Sequence, residues 1–258
     1  MLSFPLSQMK TALVLSGGGM FGAYQAGVWK ALSGKFTPDI VVGASVGALN
    51  GWYIAAGAGA EELERSWLDP ASANLMVRRS PRRPWSAIFD PGPLELRAKQ
   101  LLNSYKLRAD YGVVLVQLPW LRPKLVKNGE VTWRHLVASC AVPVGFPPVR
   151  IGGALYCDGG LLEATPIWAA VEMGAVRIIA INASRFIPPP GVGLMIKGVR
   201  RLRRSAIRGI PSGGPEIVMI TPKVEFGGML EGAVWRSDKI QRWIDMGESD
   251  ARLALERK

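Results

Sequence analysis

Residues 39–54 read DIVVGASVGALNGWYI and contain the pattern that decides the fold. An apolar run that begins at residues 39–42 is typical of a buried strand, and a helical pattern follows through Ile54. Gly43 and Gly47 flank Ser45 in a G-x-S-x-G sequence. Small residues there permit the sharp strand-to-helix turn that exposes a serine hydroxyl. The stretch therefore predicts a strand, a tight turn at Ser45 and a helix.

The same region has to be weighed against a membrane span. Residues 40–60 contain no charged side chain, which on its own would suit a spanning helix. The segment also contains five glycines, and its front part resembles a turn. A buried strand, turn and helix therefore explain it better. We expect neither a transmembrane segment nor a signal peptide, and a cytoplasmic or peripheral membrane location.

A second glycine-rich turn lies nearer the start of the chain. It follows an apolar strand at residues 11–16 and precedes a helical pattern at residues 22–32. The amides of Gly17, Gly18 and Gly19 can converge on an anion, as in an oxyanion hole for acyl transfer. The segment also fits G-x-G-x-x-G, and Asp39 lies about 20 residues on, as a dinucleotide site requires. On this motif alone both interpretations stay open.

Strands and helices alternate along the whole chain. Strands are predicted at residues 112–118, 155–157, 177–183 and 216–221, and helices at residues 60–68, 132–139, 166–173 and 237–256. Several of these strands are continuously apolar, which is typical of parallel strands covered on both faces. We therefore expect a three-layer α/β/α fold with a mostly parallel central sheet. All 258 residues should form one domain, with the motifs in residues 11–185 and a C-terminal extension at 186–258.

The number of histidines limits which catalytic mechanisms the chain can use. Asp158 precedes two glycines in a predicted tight turn, and His135 is the single histidine of the chain. A Ser-His-Asp hydrolase needs a histidine after the acid, whereas His135 precedes Asp158 and fits a helix surface better. If Ser45 is a nucleophile, its base must be a carboxylate or a lysine, and a direct Ser45–Asp158 pair fits.

The three motifs together resemble those of the patatin-like phospholipase family. That family has a glycine-rich oxyanion loop, a G-x-S-x-G turn and a D-G-G/A motif, in the order found here. The similarity extends to ASCAVP at residues 138–143 and FPP at residues 146–148. The resemblance implies a patatin-like fold and hydrolysis of carboxylic esters, above all the acyl chains of phospholipids. It also implies that no metal or organic cofactor is needed.

The resemblance also assigns roles to single residues. Ser45 would attack the ester carbonyl, Asp158 would accept its proton and later activate water, and the amides of Gly17, Gly18 and Gly19 would bind the oxyanion. A soluble esterase, a thioesterase or an acyltransferase could use the same pair of residues. A nucleotide-binding module and a lipid-binding protein without turnover are the alternatives from other classes.

Two positions depart from the family pattern. Many members have a basic residue just before the last glycine of the loop, where this chain has Phe21. Many also have Asn two residues before the proline that follows D-G-G, where this chain has Ala164. If the basic residue helps to bind a phosphate or the oxyanion, that help is missing here, so substrate choice is less well defined than the chemistry.

The chain is strongly basic, with 32 Lys and Arg against 20 Asp and Glu and a net charge of +12. Such a surplus favours anionic partners. We expect a lipid or membrane surface and no nucleic acid. One basic cluster follows a proline-rich loop predicted at residues 187–193, and a second lies on a loop at residues 78–84. The residues expected to contact anionic lipid are Arg200, Arg201, Arg203 and Arg204. Cys140 and Cys157 are expected to be free thiols.

Overall fold

The centre of the molecule is a mixed β-sheet, seen in a computed structural model that describes residues 9–78, 87–185, 190–202 and 213–256. Within those residues the sheet has eight strands. They are β1 (Lys10–Leu15), β2 (Ile40–Ala44), β3 (Asp110–Leu118), β4 (Arg122–Lys127), β5 (Val149–Ile151), β6 (Ala154–Asp158), β7 (Ala175–Ile181) and β8 (Glu216–Ile220). Their order is β5-β6-β3-β2-β1-β7-β8, and β4 also pairs with β3.

The parallel part of the sheet carries the core of the fold. Strands β3, β2, β1, β7 and β8 run parallel to one another. Strands β4, β5 and β6 are antiparallel and lie at one end. β1 and β2 are buried almost throughout, which explains why their sequences are continuously apolar. The prediction of a mostly parallel α/β sheet is confirmed.

Helices cover both faces of the sheet. They are α1 (Gly22–Leu32), α2 (Val46–Ala55), α3 (Ala60–Leu68), α4 (Gly92–Ser104), α5 (Trp133–Ser139), α6 (Ile167–Glu172), α7 (Pro190–Leu202) and α8 (Ser237–Glu256). Leu13, Leu15 and Val41 point to the face covered by α1, α2 and α8. The alternate residues Val14 and Val42 pack against α6. One face thus carries several helices, and the other is covered mainly by the short α6.

Helices α1 and α8 approach each other closely enough to require glycine. A Cβ atom placed on Gly27 would lie 1.8 Å from the carbonyl oxygen of Ile244. A Cβ atom on Gly247 would lie 2.1 Å from the carbonyl oxygen of Tyr24. The two glycines therefore let the helix backbones touch. This contact packs the C-terminal helix onto the helix that follows the glycine-rich loop.

Several predictions need correction. Strands β4 and β5 and helix α4 were not predicted. Residues 187–193 were predicted to be a loop, but α7 begins at Pro190, because proline is tolerated in the first turn of a helix. Most of the basic loop at residues 78–84 lies outside the described residues, and so do Arg203 and Arg204.

Residues 40–55 form β2, a turn and α2, as expected. No described helix is long and apolar enough to cross a bilayer.

Candidate active site

Ser45 occupies the turn between β2 and α2 in a strained backbone conformation. Its φ of 55° and ψ of −132° lie where residues with a side chain are rarely found. Such a conformation costs on the order of 1–3 kcal/mol and persists only where neighbours enforce it. The Ser45 N–H donates to Oγ of Ser139 at 2.9 Å, and that hydroxyl donates to the Val114 carbonyl at 2.8 Å. Ser139 thus ties the turn to β3.

The glycines around Ser45 are required by close backbone approaches. A Cβ atom on Gly43 would lie 2.2 Å from the carbonyl oxygen of Gly47, and one on Gly47 would lie 2.5 Å from that of Leu15. A Cβ atom on Gly17 would lie 3.1 Å from Cβ of Ser45. The end of β1 is therefore in contact with the turn, and the glycine-rich loop lies against the serine side chain.

Asp158 is the last residue of β6, which pairs with β3. Strand pairing places it opposite Leu115 of β3, one residue beyond Val114, which pairs with Ala44 of β2. The acid and the serine therefore sit at nearly the same level of the sheet. The N–H of Gly160 donates to Oδ1 of Asp158 at 2.7 Å, and Oδ2 is buried without a hydrogen-bond partner among the described residues.

Burial sets the ionisation of Asp158. The residue is 5% exposed, and loss of hydration raises the pKa of its carboxyl to about 6. Interactions with the Ser45 side chain and the Gly160 N–H lower the pKa and only partly offset that rise. The Ser45 contact falls short of a well-formed hydrogen bond, since Oδ2 stays unpartnered.

The glycine-rich loop offers two backbone donors rather than three. The N–H of Gly17 donates to the Ala164 carbonyl at 3.0 Å, so it is not available to a ligand. The N–H groups of Gly18 and Gly19 make no backbone hydrogen bond within the described part of the chain. Gly19 has a φ of 58° that suits glycine. The predicted donor set is therefore reduced to Gly18 and Gly19.

A buried polar network holds this loop in place. Nε2 of Gln25 donates to the Ser16 carbonyl at 2.7 Å, and Nδ2 of Asn50 donates to Oε1 of Gln25 at 2.9 Å. Nε1 of Trp67 donates to Oδ1 of Asn50 at 3.1 Å. Oγ of Ser16 accepts from the Ala183 N–H at 2.7 Å. Sequence reasoning missed these residues, because their partners come from distant parts of the chain.

The alternative site residues lie elsewhere. Asp39 precedes the amino-terminal end of β2, whereas the glycine-rich loop follows the carboxyl-terminal end of the parallel strand β1. Oδ2 of Asp39 accepts from the N–H and hydroxyl of Thr11. It therefore cannot act as the ribose-binding acid of a dinucleotide site. Nδ1 of His135 accepts from the Thr132 N–H and caps α5. Cys140 and Cys157 are free and buried, and burial raises the pKa of both thiols, to about 12 for Cys157.

The family model for patatin-like phospholipase matches residues 13–171, which include the glycine-rich loop, the Ser45 turn and Asp158. The chain belongs to the patatin-like phospholipase family. Among curated relatives, patatin-like phospholipase domain-containing protein 6 of Mus musculus is 28% identical over 180 residues, or 66% of this chain. Lysophospholipase NTE1 of Candida albicans is 25% identical over 197 residues, or 69% of this chain. The match covers 13% of the length of each of these relatives.

A solved structure extends the likeness beyond the matched residues. VipD from Legionella pneumophila aligns with 97% of this chain and 67% of its own, with a TM-score of 0.55 and 12% sequence identity. The likeness at that identity concerns the fold alone. It extends over β7, β8 and α8, which lie beyond residue 171, where the family model ends.

Phe21, the first departure from the patatin-like pattern, is part of the core. Its ring stacks on Phe226 with centroids 4.7 Å apart and meets Trp243 edge-on at 4.8 Å. The end of the loop is thus anchored by aromatic packing and presents no basic side chain there. Ala164, the second departure, contributes its carbonyl to the bond from the Gly17 N–H.

A groove of about 530 Å³ runs along α8 and is separate from Ser45 and Asp158. Its lining includes charged side chains, among them Lys223, Arg242 and Asp245, together with the apolar Val224 and Met246.

The basic cluster is only partly a surface feature. Lys197 and Arg201 of α7 are exposed, but Arg200 is half-buried and points towards Gly160 and Leu161. Arg200 was predicted to contact anionic lipid, and this placement corrects that prediction, because its guanidinium group already serves two backbone carbonyls. Arg201 remains a candidate lipid contact, whereas Arg203 and Arg204 lie outside the described residues.

Proposed function

We propose that this protein is a serine acyl hydrolase that cleaves carboxylic esters of lipids, with Ser45 as nucleophile and Asp158 as the base. The observation that carries the proposal is the strained Ser45 turn, held beside a buried carboxyl whose Oδ2 has no partner in the described residues. Strained backbone and unsatisfied buried groups are both costly, and they cluster at active sites.

In the first half of the reaction, Oγ of Ser45 attacks the ester carbonyl carbon while Oδ2 of Asp158 takes the hydroxyl proton. The carbonyl π electrons move to oxygen, and the amides of Gly18 and Gly19 stabilise that oxyanion together with the N-terminus of α2. When the tetrahedral intermediate collapses, the alcohol leaves with the proton from Asp158. An acyl group stays on Ser45.

In the second half, water replaces the alcohol. Asp158, ionised again, takes a proton from the attacking water, and the hydroxide oxygen bonds to the acyl carbon. Collapse breaks the bond to Ser45, which regains the proton and releases the fatty acid. Every step uses one serine and one carboxylate, so no histidine is required.

The substrate class rests on the family and on the surface beside the site. The family name and the curated relatives indicate phospholipid or lysophospholipid esters. Helix α7 adjoins the turn after Asp158 and exposes Leu194, Lys197 and Arg201, with Leu194 74% exposed. An apolar side chain among cations suits docking on an anionic bilayer. We assign α7 this role.

We also propose that residues 11–185 and the extension at 186–258 belong to one domain. Two contacts support this. β8 extends the parallel sheet beside β7, and α8 packs on α1 through the glycine contact described above. The aromatic cluster around Phe21 likewise includes Phe226 and Trp243 from the extension.

The proposal is tested by the products formed from a defined phospholipid. Purified full-length protein should release fatty acid from mixed micelles of phosphatidylglycerol, and Ser45→Ala should release none above background. Cys140→Ala, which changes another buried nucleophilic side chain near the site, should retain activity. Equal release by wild type and Ser45→Ala would contradict the proposal. Transfer of the acyl group to added alcohol, rather than to water, would indicate an acyltransferase.

A further inference from the structure

The Arg200 side chain bonds helix α7 to the turn that follows Asp158. Nη2 of Arg200 donates to the Gly160 carbonyl at 3.2 Å, and Nε donates to the Leu161 carbonyl at 3.3 Å. We call Gly159–Leu161, a 3-10 turn, the acid turn. A planar guanidinium can serve two carbonyls at once, which fixes direction as well as distance.

The same turn orients the carboxylate. The N–H of Gly160 donates to Oδ1 of Asp158 at 2.7 Å, so both backbone polar groups of Gly160 are engaged. Gly159 lies against β3, where a Cβ atom would be 2.2 Å from the Val114 carbonyl oxygen. The acid turn is thus held between the sheet on one side and Arg200 on the other.

Other contacts make Arg200 more than an incidental surface residue. Burial raises the pKa of the Glu163 carboxyl to about 7, and the charge of Arg200 lowers that pKa and so partly opposes the effect of burial. The neighbouring Val199 packs against the apolar cluster that includes Leu161 and Leu162. Arg200 is therefore half-buried against the acid turn, whereas the next residue, Arg201, is exposed.

We propose that Arg200 is a positioning residue for the reaction. It fixes the acid turn so that Oδ2 of Asp158 faces Ser45, and it couples that turn to α7, the helix assigned to lipid docking. A helix that moved on binding a membrane would move the acid turn with it. The catalytic part of this inference rests on the proposed hydrolase function.

The first test compares Arg200→Ala with Arg65→Ala, which removes the same charge from α3, where Nε of the exposed Arg65 donates to the Glu61 carbonyl. The substrate is a soluble short-chain p-nitrophenyl ester, so membrane binding plays no part. Arg200→Ala should lower kcat by roughly ten- to a hundredfold with little change in KM, since misplacing a catalytic group by about 1 Å costs this much. Arg200→Lys should recover part of the loss, and Arg65→Ala should match wild type.

The second test does not depend on catalysis. Amide hydrogen exchange of the peptide covering residues 158–164 should be faster in Arg200→Ala than in wild type and unchanged in Arg65→Ala, with equal melting temperatures confirming that both variants fold. Equal exchange in the two variants, or faster exchange without loss of kcat, would overturn the proposal. If wild type showed no Ser45-dependent hydrolysis, the proposed function would fail, and exchange alone would decide whether Arg200 fixes the turn.

Discussion

Asp158 lies in an environment very different from that of an ordinary surface carboxylate. Its burial raises the pKa to about 6, from 3.8 for an exposed group. A general base must be ionised, so kcat/KM should rise with pH through about 6 and level off above it. The pH profile with a soluble ester measures this. The nearby Glu163 has a raised pKa of about 7, so a rise that vanished in Glu163→Gln would contradict the assignment to Asp158.

The same raised pKa makes a prediction about stability. Because the folded-state pKa lies above that of the unfolded chain, the protonated carboxyl favours folding. That contribution is complete below about pH 4 and is lost as the pH rises through about 6. Asp158→Asn should therefore increase the free energy of unfolding at about pH 8 by up to about 3 kcal/mol, with no gain near pH 4. Denaturant unfolding at the two pH values measures the difference, and a destabilised variant at high pH would contradict it.

At the scale of elements, the contact between α1 and α8 decides whether the C-terminal helix can pack. Gly27→Ala would force a Cβ atom to within 1.8 Å of the Ile244 carbonyl oxygen. We expect a loss of about 3 kcal/mol in unfolding free energy, at the upper end of what overpacking costs, because a backbone oxygen cannot move aside as a flexible side chain can. Gly198→Ala in α7 is the matched control, because no atom of the described residues lies within 4 Å of its Cβ position. It should be neutral or stabilising by up to about 1 kcal/mol.

The elements that sequence could predict are those with strong local signals. Helices α1, α3 and α8 begin and end where apolar spacing and flanking residues indicate, and β1, β2 and β3 are continuously apolar. β4, with the sequence RPKLVK, has neither signal and forms because β3 offers it an edge. Helix α4 could have been found, because Leu94, Ala98 and Leu101 recur on one helical face.

The site was predictable to the extent that its chemistry lies in short motifs. Ser45, Asp158 and the glycines each stand in a local pattern of strand and turn. Ser139 and Arg200 do not, since each acts through a partner about 40 or more residues away in the chain. The bond from the Gly17 N–H to Ala164 is equally remote, which is why sequence reasoning counted Gly17 among the oxyanion donors.

At the scale of the whole molecule, the net charge of +12 should govern association with membranes. The chain should cosediment with vesicles containing phosphatidylglycerol and not with phosphatidylcholine alone. Binding should fall at high salt, because the screening length shrinks from about 10 Å at 0.1 M to about 3 Å at 1 M.

A charge reversal locates the membrane-binding face. Arg201→Glu on α7 should weaken vesicle binding severalfold, whereas Lys35→Glu should not. Lys35 is also exposed, but it precedes the amino-terminal end of β2, at the opposite end of the parallel strands from the glycine-rich loop. If the two substitutions weakened vesicle binding equally, the overall charge would govern binding and α7 would not be the membrane-binding face.

The central claim is that Ser45 is a nucleophile activated by Asp158, and labelling with a fluorophosphonate probe tests it most directly. The probe forms a covalent bond only with an activated serine, so intact-protein mass spectrometry can count the adducts and peptide mapping can locate them. Wild type should gain one adduct on Ser45, Ser45→Ala should gain none, and Asp158→Asn should react at least about a hundredfold more slowly. Equal labelling rates in wild type and Asp158→Asn, or no adduct on a folded wild-type protein, would contradict the account.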